Sequence, residues 1–91
     1  MRLDKYLKVS RIIKRRTVAN EACSGGRVSL NERIAKPSSD VKPGDIIAIR
    51  FGEHVGRYRV CQVKEVVRKE ETPNLYELIS EDEQVHLERN S

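Results

Sequence analysis

Seven cationic side chains fall within sixteen residues at the start of this chain: Arg2, Lys5, Lys8, Arg11, Lys14, Arg15 and Arg16. One acid, Asp4, stands among them. The chemistry open to such a group is neutralisation of a polyanion. Nucleic acid is the expected partner, because each phosphate met by Lys or Arg releases condensed counterions. Arginine forks suit bidentate phosphate contact, whereas lysines act more as point charges that add to the field. The competing reading is a solvated helical face.

Three polar residues in the same stretch carry open alternatives. Asp4 either complements a helix N-terminus or holds a neighbouring arginine in one rotamer; a pair is favoured, because an unpartnered acid in a basic face is costly. Ser10 and Thr17 either hydrogen-bond phosphate or cap helices, with capping the better reading for Thr17.

The elements that must position these groups follow from periodicity. Leu3, Tyr6, Leu7 and Ser10 share one helical face and Lys5 and Lys8 the other, which predicts an amphipathic helix with its basic side outward. Tyr6 is therefore expected in the core. Thr17 is expected to cap a second helix whose buried side is Val18, Ala19, Ala22 and Cys23, ended by Gly25-Gly26. Arg15 and Arg16 then precede a helix start, where free N–H groups favour anions. Strand character is expected over residues 27–31, 34–35, 46–51, 58–67 and 75–79. The connections are a turn at Asn31-Glu32, a loop over 37–40, a Lys42-Pro43-Gly44-Asp45 turn, and loops at 52–56 and 69–74. Lys36 and Ser38 could extend the basic surface. The alternation of Arg57-Tyr58-Arg59 fits an exposed strand face.

Ninety-one residues make one domain with a small core and no room for a deep enzyme cleft. The charge is polarised: residues 1–50 hold twelve bases and five acids, and residues 51–91 hold six bases and nine acids. The N-terminal half should therefore face the anion. The aromatics are Tyr6, Phe51, Tyr58 and Tyr76, too few for a base-stacking platform. Cys23 and Cys61 lack a CxxC partner or nearby His, so buried free thiols are expected rather than zinc or a disulfide. His54 and His86 have no companions that would make a metal site. No membrane span or lipidation motif is seen, and a cytoplasmic protein is expected. No nucleophile–base pair or phosphate-cradling glycine loop is present, so the expectation is a binding factor without cofactor, metal or catalytic residue, and not an enzyme.

An ordered series of short matches goes further. Residues 1–11 (MRLDKYLKVSR), then Arg16-Thr17 with Ala19, then Gly26-Arg27-Val28 with Leu30-Asn31, then Val41 with Gly44-Asp45 and Ile47, resemble the RNA-binding domain first known from small-subunit ribosomal protein S-four, the alpha-L motif. The resemblance covers residues 1–50. The one visible departure is Glu32, where the motif's hairpin turn usually has Gly. Within that family the chain is similar to the small stand-alone RqcP-like (YabO-like) group and its heat-shock-type relatives.

The resemblance implies an α+β fold, two to three N-terminal helices packed on a small mostly antiparallel sheet. Residues 1–80 would form a single domain, with core motif 1–50 and additional strands 51–80, and residues 81–91 an acidic polar tail. It implies RNA binding by Arg2, Asp4, Lys5, Lys8, Ser10, Arg11, Lys14, Arg15, Arg16 and Thr17, with Arg2 and Arg16 foremost. It also implies partners: 23S rRNA of the large ribosomal subunit, tRNA, and RqcH on the same subunit, with no membrane and the chain a monomer. The implied role is ribosome-associated quality control on stalled, split ribosomes, supporting RqcH-dependent C-terminal poly-alanine tailing. The alternatives are a heat-shock-type recycling factor without tailing, a protein–protein adaptor using the acidic half, and a detached targeting domain of an RNA-modifying enzyme.

Overall fold

The computed structural model describes residues 1–83. Its elements are α1 (Leu3–Val9), α2 (Arg16–Ser24), β1 (Val28–Leu30), β2 (Arg33–Ile34), β3 (Ile46–Phe51), β4 (His54–Val60), a 3-10 turn (Lys69–Asn74) and β5 (Tyr76–Glu83). The five strands form one sheet in the order β2-β1-β3-β4-β5, and every neighbouring pair is antiparallel. Two helices on an antiparallel sheet is the α+β class expected from the sequence. No helix among the described residues is long and apolar enough to cross a membrane.

The core lies between the two helices and the β1–β3–β4 part of the sheet. Leu3, Tyr6 and Leu7 of α1 are fully buried, as the i, i+3, i+4 stripe requires. Ala19, Ala22 and Cys23 of α2 meet them, and Val28, Ile47, Ile49 and Val60 complete the cluster from the sheet. Each large side chain fully removed from water contributes on the order of 1.5–3 kcal/mol, which is what a short chain has to work with. Burial alternates along β3, so Ile47 and Ile49 face the helices while Ala48 and Arg50 face away.

Local chemistry sets the turns. Gly25 and Gly26 end α2, Gly26 with φ +74°. Gly44 follows Pro43 with φ +94°, and the Asp45 N–H donates to the Lys42 carbonyl at 3.1 Å, closing a type II turn. Asn31 and Glu32 both take positive φ, 52° and 70°. Glu32 thus adopts the conformation that the motif's usual glycine accepts freely, and the turn keeps the geometry of a two-residue hairpin.

Several boundaries differ from the sequence reading. α2 begins two residues earlier than expected: Arg15 is its N-cap, without a side-chain bond, and Thr17 lies in the first turn. β4 starts at His54 and stops at Val60, so residues 61–67 are not strand. The early start follows from the Phe51–His54 pairing, which narrows the expected 52–56 loop to Gly52-Glu53. Residues 69–74 form a 3-10 turn, and the last strand runs from Tyr76 to Glu83, three residues into the segment read as a tail. The rest of that tail, 84–91, and with it His86, lies outside the described residues. Cys61 falls in the extended segment after β4 and is exposed, whereas Cys23 is buried as expected; both are free thiols. Burial, together with the nearby Asp4 charge, pushes the Cys23 thiol up to about 11, so it stays protonated and inert.

Candidate nucleic-acid interface

The loop over residues 36–41 fastens the start of α1. Leu3 N–H donates to the Ser39 carbonyl at 2.8 Å and Asp4 N–H to the Pro37 carbonyl at 3.1 Å. These bonds take up first-turn donors that would otherwise be orphaned. Arg2 forms an isolated antiparallel bridge with Asp40. The backbone of residues 2–4 is therefore held by a segment more than thirty residues away, and the Arg2 and Asp4 side chains leave from a fixed base.

Asp4 is the hub of the site. Its carboxylate is only 2% exposed, yet it lies beside two arginines about half exposed. Arg2 donates through Nε to Oδ1 at 3.2 Å and through a terminal nitrogen to Oδ2 at 3.3 Å. Arg16, at the start of α2, places its Nε 3.5 Å from Oδ2. Asn20, one turn further along α2, donates its amide to Oδ2 at 3.4 Å, and the Lys5 N–H donates to Oδ1 at 2.8 Å. Burial works to raise the carboxyl pKa. The hydrogen bonds from Asn20, Arg2 and the Lys5 N–H, with the Arg16 charge, outweigh it and hold the group below the ordinary carboxylate range. One buried anion thus gathers two guanidiniums, one from the N-cap of α1 and one from the start of α2, while leaving each half open to solvent.

Seven of the ten expected site residues fall into three groups. Arg2 and Arg16 stand together over Asp4, and a hollow of about 460 Å³ runs from Arg2 past Asn20 to Gly26, Ile34, Lys36 and Ser38. Lys8, Arg11 and Lys14 gather around a second hollow of about 490 Å³, closed on its far side by Glu65, Val66 and Thr72. Arg15 and Thr17 are exposed at the start of α2. Lys5 is drawn away: its ammonium pairs with Glu65 at 2.5 Å.

Asp4 and Ser10 depart from direct contact. Asp4 is closed off from solvent and acts by holding arginines. Ser10 is fully buried; its hydroxyl donates to the Leu7 carbonyl at 3.3 Å and accepts from the Ile12 N–H at 3.5 Å. It shapes the chain as it leaves α1 and offers no oxygen to a ligand. Arg11, directly after it, carries φ +64°, a left-handed conformation in a non-glycine residue. That geometry ends α1 and throws the Arg11 side chain outward.

Asn20 was missed by the sequence reading. The available signal was its i+4 spacing from Arg16, which puts both on one helical face. Glu65 had no sequence signal, since only the path of the chain after β4 brings it to Lys5.

Three comparisons bear on this arrangement. The S4 domain family model matches residues 1–47, which include both helices and the whole of the Asp4 cluster. A protein of Bacillus subtilis (strain 168) named RQC P-site tRNA stabilizing factor is 51% identical over 82 residues, spanning 90% of this chain and 95% of its own length. Its namesake in Streptococcus pneumoniae (strain ATCC BAA-255 / R6) is 52% identical over 81 residues, spanning 89% of this chain and 92% of its own. Among solved structures, the trimeric Heat Shock Protein 15 of Vibrio cholerae superposes with a TM-score of 0.80 at 32% identity, covering 100% of this chain and 92% of that one.

Proposed function

The chain belongs to the S4 domain family, among the relatives named RQC P-site tRNA stabilizing factor, and on that premise we propose that it is a non-catalytic RNA-binding factor of ribosome quality control. It holds tRNA on the large ribosomal subunit of a stalled, split ribosome, and contacts 23S rRNA there. Its contribution to the chemistry is positional: a tRNA held still meets its reaction partner as though at high concentration, with catalysis left to the ribosome. In this reading it supports C-terminal poly-alanine tailing together with RqcH, and it resides in the cytoplasm on ribosomes.

The observation that carries the reading is the Arg2–Asp4–Arg16 cluster. Two half-exposed guanidiniums sharing one buried carboxylate are pre-oriented, so less side-chain freedom is lost when phosphate oxygens arrive. Arg11, Lys8, Lys14 and Arg15 add charge to either side, and phosphate contact fixes register on a folded RNA without reading its bases.

The test is co-sedimentation of Arg2→Ala/Arg16→Ala with large ribosomal subunits across a salt series, with circular dichroism as the fold control. The variant should lose binding with its fold intact. The wild-type log affinity should fall with log salt by about 0.7–0.9 per phosphate neutralised. Undiminished co-sedimentation of the variant overturns the site assignment, and a flat salt response favours the adaptor alternative.

The likeness to Heat Shock Protein 15 supports a second reading, a recycling factor that binds large subunits without tailing. Dependence on RqcH separates the two, since only a tailing factor loses its product when RqcH is absent.

A further inference from the structure

The face of the sheet turned away from the helices carries a second basic surface. Burial of Val28 and Ile49 points their neighbours Arg27, Ser29, Ala48 and Arg50 to the opposite side. Arg27 and Arg50 lie on adjacent chain segments, joined by the Arg50 N–H donating to the Arg27 carbonyl at 2.9 Å. Ser29, Ala48 and Arg57 sit side by side across β1, β3 and β4. The three arginines surround a hollow of about 260 Å³. Glu32 borders an adjoining hollow beside Arg57. Arg27 and Arg50 are exposed and have no side-chain partner among the described residues.

We propose that this open sheet face binds an RNA phosphodiester backbone, as an extension of the helical interface. Two features of the arrangement favour RNA over an acidic protein. The floor is Ser29 and Ala48, small enough for a sugar-phosphate backbone to approach the strands and too small to anchor a protein hot spot. Side chains on neighbouring chain segments stand about 5 Å apart when directly opposite, so Arg27 and Arg50 can fork onto separate phosphate oxygens. The surface is also contiguous with the first. Gly26 and Ile34 line both this hollow and the one that begins at Arg2, so positive charge runs from the helical cluster round the β1–β2 edge.

The inference rests on the RNA-binding reading above, and its test separates the two. The full chain and three variants are titrated with a fluorescent RNA duplex over a salt series: Arg27→Gln/Arg50→Gln, Arg2→Ala/Arg16→Ala, and all four changes together. Both exposed arginines are replaced without touching the core, and thermal melting verifies the fold. Arg27→Gln/Arg50→Gln should bind several-fold more weakly, with its salt slope flattened by about 0.7–0.9 per arginine, and the fourfold variant should lose more than either pair. Wild-type affinity and slope in Arg27→Gln/Arg50→Gln, alongside a loss in Arg2→Ala/Arg16→Ala, would sink the sheet-face site and leave the helical site standing. Loss in neither pair overturns both. If polyglutamate binds the wild type at this face more tightly than the duplex does, the partner is protein and the proposal fails.

Discussion

The Tyr6 hydroxyl donates a 2.7 Å hydrogen bond to the Leu75 carbonyl, across 69 residues of sequence. Tyr6 belongs to α1, the helix that carries Lys5 and Lys8, and Leu75 to the turn that leads into β5. The same carbonyl also accepts from the Cys61 and Gln62 N–H groups, at 2.8 and 3.1 Å. This node therefore gathers α1, the segment after β4 and the entry to β5. Burial, with smaller contributions from Cys61 and Tyr76, pushes the Tyr6 phenol well above its ordinary range, so it remains a donor in alkaline solution.

Tyr6→Phe removes that donor but leaves the Leu75 carbonyl satisfied by two N–H groups. The expected cost is the net value of one buried hydrogen bond, about 0.5–1.5 kcal/mol. For a domain of this size that is a drop of several degrees in Tm, at roughly 4–8 °C per kcal/mol. RNA affinity at a temperature where both proteins are folded should not change. A Tm equal to wild type would show that the bond contributes nothing.

Asp4→Asn should destabilise the fold by about 1–3 kcal/mol at neutral pH, since the arginines lose a charged acceptor. The sign of the pH dependence follows from the depressed carboxyl. Its stabilisation is fully present above the ordinary carboxylate value, about 3.9, and is lost as pH falls through the lower folded value. The gap between wild type and Asp4→Asn in denaturant midpoints should therefore close in acid. RNA binding discriminates further. Removing a negative charge strengthens attraction by field alone, whereas loss of arginine positioning weakens it. Weaker binding by Asp4→Asn is expected, and tighter binding would show that the carboxylate does not orient Arg2 and Arg16.

Arg11→Gly should separate stability from binding. A left-handed non-glycine residue costs about 1–2 kcal/mol, part of which glycine returns through its freer unfolded chain, leaving a gain of about 0.5–1 kcal/mol. The same change removes an outward cation from the Lys8–Arg11–Lys14 group. The variant should melt higher and bind RNA more weakly, with a flatter salt slope. A lower Tm with unchanged binding would contradict both halves.

Glu32→Gly tests the hairpin in the same way, without a cation at stake. With φ at +70°, glycine at position 32 should raise stability by about 0.5–1 kcal/mol. A loss of stability in chemical denaturation would mean that the Glu32 side chain makes a compensating contribution.

Much of this architecture is readable in local pattern. The α1 stripe, the glycine pair that ends α2, the Lys42–Asp45 turn and the strand at 46–51 each follow from residues within a few positions of one another. The density of cations before residue 17 is likewise a property of the sequence alone. Strand ends were less legible: β4 begins and stops where its partners β3 and β5 allow, and no residue at 52–56 or 61–67 announces that register. The exposure of Cys61 follows from the same misplaced boundary.

What only the tertiary structure decided is which of the seven N-terminal cations are held and which are diverted. The sequence supplies an acid among bases, but Asp4 collects Arg2 and Arg16 because α2 crosses α1 at that point and brings Asn20 with it. Lys5 is taken by Glu65, sixty residues on, and Ser10 is sealed under the turn that follows α1. The open-face group of Arg27, Arg50 and Arg57 exists only through strand pairing. The physical reason is range. Periodicity and turn chemistry act over a few residues and fix which face a side chain takes, whereas ion pairs and shared hollows depend on chain segments that meet only after the sheet has closed on the helices.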